Sequence, residues 1–113
     1  MKSKEIIYDS IISEIVKLQL DDYHTLFLAN LILRRIRHPE EHMKERVTKV
    51  MKKMTVVYQK KKNVIEISSE KCLDILEEKL EECPNIPEHL YSGRTVGNVV
   101  KFYSSKVMES LEE

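Results

Sequence analysis

Residues 55–68 read Thr55-Val-Val-Tyr-Gln-Lys60-Lys-Lys-Asn-Val-Ile65-Glu-Ile-Ser68, and how they are read decides the fold class. β-Branched and aromatic residues flank a polar tip, a composition that predicts a β-hairpin. Pairing Gln59 with Val64 sets Tyr58 opposite Ile65 and Val56 opposite Ile67, so one face is wholly apolar. The other face carries Thr55 with Ser68, Val57 with Glu66, and Gln59 with Val64. A shift of one residue would mix the two faces, so the alternation itself selects the register. The tip, Lys60-Lys61-Lys62-Asn63, holds three consecutive cations.

On both sides the apolar period changes from two to 3.6. Upstream, Ile7, Tyr8, Ile11, Ile12, Ile15 and Leu18 recur at spacings of three and four, predicting a helix over 4–19 with Ser3 as its cap. Asp21 or Asp22 opens a second helix to about Arg37. Leu26, Phe27, Leu28, Ala29, Leu31, Ile32, Leu33 and Ile36 leave it little polar face, which marks it as the central core helix. Arg34, Arg35, Arg37 and His38 close it where the helix dipole favours cations, and a solvated position is expected for them. Pro39 suits the first position of a third helix, with Glu40 and Glu41 in its first turn. That helix is expected to reach Met54, with Met43, Val47, Val50, Met51 and Met54 inward and a ridge of Glu41, Glu45, Lys49 and Lys52 outward.

Downstream, Ser68 or Ser69 caps a fourth helix whose stripe is Cys72, Leu73, Leu76, Leu80 and Cys83. Asp74, Glu77, Glu78, Glu81 and Glu82 form its expected solvent face, and Pro84 ends it. A last helix from about Thr95 buries Val96, Val99, Val100, Tyr103, Val107 and Leu111, and Gly97 within it predicts a close helix contact. The expected architecture is mostly α with one β-hairpin, in the order α-α-α-β-β-α-α, forming a single domain over 1–113.

Apolar residues at 42% against charged residues at 34% predict a folded chain rather than a disordered one. No apolar run approaches the ~20 residues needed to span a bilayer, and the first residues lack the apolar core of a signal peptide. An intracellular, cytoplasmic protein without a membrane partner is expected. Cys72 and Cys83 stand eleven residues apart in one helix, roughly 16 Å and three turns, so they read as two reduced core thiols.

Net charge is zero, yet the charges are segregated. Eleven Lys or Arg stand against three Glu from Arg34 to Asn63, while eight acidic residues stand against two Lys from Val64 to Ser92. Three helices followed by a basic hairpin is the element order of a winged helix-turn-helix. The stretch Val47-Thr-Lys-Val-Met-Lys-Lys-Met-Thr-Val-Val-Tyr58 resembles such proteins, whose recognition helix runs directly into the first wing strand. The resemblance covers about a quarter of the chain and rests on a pattern. It implies a winged-helix-like DNA-binding protein, a transcriptional regulator rather than an enzyme. Its phosphate contacts would be Lys60, Lys61 and Lys62 at the wing and Lys49, Lys52 and Lys53 on the helix, with Arg34, Arg35 and Arg37 extending the patch. The amphipathic first and last helices are candidates for a homodimer interface.

Glu40, Glu41 and Glu45 sit where such a helix would approach phosphates, and they would repel them. The alternative is a helical interaction or assembly module whose basic 34–62 region docks on an acidic protein partner, such as the 74–82 face of another copy. His38-Pro-Glu-Glu-His42 matches a zinc-peptidase spelling, but Pro39 keeps His38 at or before the cap, and chance accounts for the match better than a metal site. Ser92-Gly-Arg-Thr95 could hold an anion at a helix start, but a turn and cap explain the same residues without any ligand and are the favoured reading. No catalytic constellation is legible, and no cofactor is called for.

Overall fold

In the computed structural model, which describes residues 3–59, 69–91 and 93–112, every regular element among the described residues is helical. α1 spans Lys4–Ile15 and tightens into a 3-10 turn at Val16–Leu18. α2 spans Asp22–Arg37, α3 Met43–Gln59, α4 Ser69–Glu81 and α5 Thr95–Glu112, with a second 3-10 turn at Glu88–Leu90. The caps are local chemistry. Ser3 Oγ accepts the Ile6 N–H at 3.3 Å, and Asp21 Oδ1 accepts the His24 N–H at 3.0 Å, each satisfying a donor that the first helical turn leaves unpaired. Gln19, at φ 56°, takes the left-handed conformation that stops the 3-10 turn and redirects the chain into α2.

α2 lies at the centre and packs against α1, α3 and α5, while α4 closes over α3 and α5. Phe27, Leu28, Ala29, Leu31 and Ile32 are fully excluded from solvent, together with Ile11, Ile15, Leu76, Leu80, Val99, Val100 and Val107 from its neighbours. Each large apolar side chain contributes about 1.5–3 kcal/mol on burial, and α2 is the element around which the others bury theirs. Most of the apolar stripes of α1 and α5 lies inside this core, while Ile6 and Met108 stay exposed. No helix is long and apolar enough to cross a membrane.

The hairpin is overturned. Its first strand, Thr55 to Gln59, is the last turn and a half of α3, and no strand occurs among the described residues. The tip Lys60-Lys61-Lys62-Asn63 and the second strand lie outside the described residues. The physical reason is continuity. No Gly or Pro interrupts 43–59, and the apolar repeat Met43, Val47, Val50, Met54 runs on to Val57 and Tyr58 at the same three-and-four spacing. β-Propensity is a weak preference that extension of an already formed helix outweighs. The winged-helix assignment falls with the strand.

Three smaller expectations also change. α3 begins at Met43 rather than Pro39, because residues 38–41 form a turn closed by the Glu41 N–H on the His38 carbonyl at 3.2 Å. Leu26, placed in the core by its spacing, is 40% exposed. A Cβ added at Gly97 would meet nothing within 4 Å, so no helix crosses closely there.

Candidate functional site

The turn between α2 and α3 folds inward around Glu41. Its carboxylate is buried and grips Arg34 from both sides, with Arg34 Nε on Oε1 at 2.6 Å and Nη2 on Oε2 at 2.7 Å, while Lys49 Nζ reaches Oε2 at 2.5 Å. Hydrogen bonds from Arg34, then from Lys49, outweigh burial and hold the Glu41 carboxyl at about 2 instead of 4.5. Lys49 also pairs with Glu45 at 3.2 Å. Arg46, 2% exposed, fastens the turn from beneath by donating Nη2 to the Glu41 carbonyl at 2.8 Å, with its Nε left unpaired. Glu41 was expected on the outer ridge of α3, and Arg34 was expected to be solvated. The turn places both in this clamp instead.

Around the clamp the cations exceed the anions. Arg34, Arg37, His38, Lys49 and Lys53 line a small cavity of about 40 Å³ floored by Leu33 and Val50. Through Asn30, Leu33 and Lys53 it opens into a larger groove of about 460 Å³ between α1, α2 and α3. The groove has an apolar floor of Tyr8, Leu26, Leu33 and Met54 and a rim of Lys4, Lys53, Glu5 and Asp9. Lys53 and Lys4 line the same groove. Lys4 first, then burial, then the charges of Arg37 and Arg34, push the Lys53 pKa below the usual lysine value. Two ammonium groups close enough to depress a lysine pKa make a place where an anion is favoured.

Of the residues that the sequence suggested, the fold brings Arg34, Arg37, Lys49 and Lys53 together. Arg35 lies near Arg46, Lys52 is exposed on α3, and Lys60, Lys61 and Lys62 lie outside the described residues. Sequence reasoning missed Lys4 and the clamp residues Glu41 and Arg46. Lys4 stands one turn before Tyr8 on the same face of α1, a signal visible in the spacing but without a reason to connect it to Lys53.

The acidic pole is built separately. Glu77, expected on the solvent face of α4, is half-buried and caps α5, its Oε1 and Oε2 accepting the N–H groups of Thr95 and Val96. An internal carboxylate therefore occupies the helix start at Ser92-Gly-Arg-Thr95 that the sequence left open to an anion, and Gly93 supplies the turn at φ 76°. Glu70, Asp74, Glu78, Glu81 and Glu82 are exposed, and no ion pair among the described residues joins them to the cations of α2 and α3. His38 and His42 flank a turn rather than sharing a helical face, so the zinc-peptidase spacing has no matching geometry. Compared with known proteins, the chain matches no family model, no curated protein and no solved structure.

Proposed function

We propose that the protein is a helical interaction module whose basic α2–α3 region docks on an acidic protein partner. The observation that carries this reading is the junction of a cationic cavity with an apolar groove at Lys53. A protein surface offers carboxylates beside apolar side chains, and both halves of the site would then be filled. Arg37, Lys44, Lys52 and Lys53 enter no ion pair among the described residues and supply the attraction. Arg34 and Lys49 are already held by Glu41 and act by keeping the turn in place.

A second reading keeps duplex DNA as the ligand and the protein as a regulator, since the same four exposed cations suit phosphates. It has lost the hairpin that motivated it, and Glu45 stands on the approaching face of α3. Binding of the full chain to polyglutamate and to duplex DNA, each at two salt concentrations, separates the readings. The interaction module is expected to bind polyglutamate in a salt-dependent way, and K53E together with R37E should weaken that binding at least about tenfold. Binding to DNA with no affinity for polyglutamate would overturn the first reading in favour of the second.

A further inference from the structure

We propose that the groove between α1, α2 and α3 seats the C-terminal end of α5 from a second copy of this chain. This rests on the docking reading above and names its partner. The groove asks for an occupant with two properties. Leu26 and Leu33 are seven residues apart on α2, about 10.5 Å or two helical turns, so the floor is the length of a short helical segment. Lys4 and Lys53 demand carboxylates at one end of it.

The chain's own acidic helix α4 offers only half of this. Its apolar stripe, Cys72, Leu76 and Leu80, is buried, Leu73 and Ile75 are half-buried, and none of the exposed large apolar residues lies on it, whereas Met108 lies on α5. The end of α5 offers both. Met108 is 41% exposed, Leu111 packs one side against the chain's own core and leaves the other partly open, and Glu109 and Glu112 are exposed beside them. Met108, Leu111 and Glu112 follow one another at three and four residues and share a face. The last turn of α5 carries no basic residue, so the negative end of its dipole is uncompensated within the helix and adds to the attraction for ammonium groups.

On docking, Met108 and the open side of Leu111 cover Leu26, above the nearly buried Leu33, and Glu109 and Glu112 meet Lys53 and Lys4. The two surfaces differ, so the contact is head-to-tail and grows into rings or filaments rather than a two-fold dimer.

The test is sedimentation velocity on the full chain over a concentration series at low and high salt, with charge-reversed variants. All four charged positions are exposed, and circular dichroism checks that each variant folds. Association is expected at low salt and reversal at high salt. K4E/K53E and E109K/E112K should each lose about tenfold or more in association constant, and an equimolar mixture of the two should restore association. An M108A variant should weaken it without changing its salt dependence. A chain that stays monomeric throughout, or variants that associate like the parent, would overturn the proposal. If the monomer still binds polyglutamate in a salt-dependent way, the docking reading stands and only the choice of partner falls. Without that binding, both fall.

Discussion

Glu41 is the residue on which the α2–α3 turn depends. Its carboxyl is held at about 2, against 4.5 when free, because Arg34 and Lys49 hydrogen-bond the ionised form. A folded-state pKa below the unfolded one makes the clamp fully stabilising above ~4.5 and progressively lost as the pH falls toward about 2. Urea midpoints measured across that window should fall more steeply for the parent than for E41Q, which has no proton to take up there. At neutral pH E41Q should be the less stable of the two, since Arg34 and Lys49 then face each other with no carboxylate between them. Equal slopes for the two proteins would show that Glu41 does not carry the acid sensitivity. Arg46 sets a further constraint, because a buried guanidinium is tolerated only while the turn presents carbonyls to it.

Among the elements, α5 depends on a group that lies far from it in sequence. Glu77 of α4 caps its first turn through both oxygens, so E77A should cost about 1–2 kcal/mol in chemical denaturation. E77Q should recover part of that, because one amide oxygen still accepts. A substitution that left stability unchanged would mean that water serves the cap equally well. All five helices were legible in the sequence from a three-and-four apolar repeat, often with a recognisable end such as Ser3, Asp21 or Pro84, and only the ends of α3 were misplaced. The two errors at the ends of α3 have separate causes. Thr55-Val-Val-Tyr58 satisfies the strand period and the helix period at once, and short-range preference favoured the strand where continuity of α3 decided otherwise. Pro39-Glu-Glu41 has the composition of a helix start, yet Arg46 and Arg34 draw it into a turn. The candidate site was legible only as an excess of cations on 34–53. The apolar groove beside them needs Leu26 to be exposed and Lys4 to approach Lys53, and both are products of how α1 leans on α2 and α3.

At the scale of the whole molecule, the positive and negative segments do not neutralise one another through ion pairs among the described residues. Interaction with other molecules is therefore governed by where charge lies, and ionic strength is the variable that separates the proposed partners. Increasing salt should release acidic partners and second copies together, while the core formed around α2 is left intact, so circular dichroism should stay constant as sedimentation changes. The uncompensated poles also have a practical consequence for purification. A protein of zero net charge and isoelectric point near 6.9 would ordinarily flow through ion-exchange media at neutral pH. This one should be retained by both cation- and anion-exchange resins in dilute buffer, each resin gripping a different end. K4E/K53E should elute earlier from the first resin and later from the second.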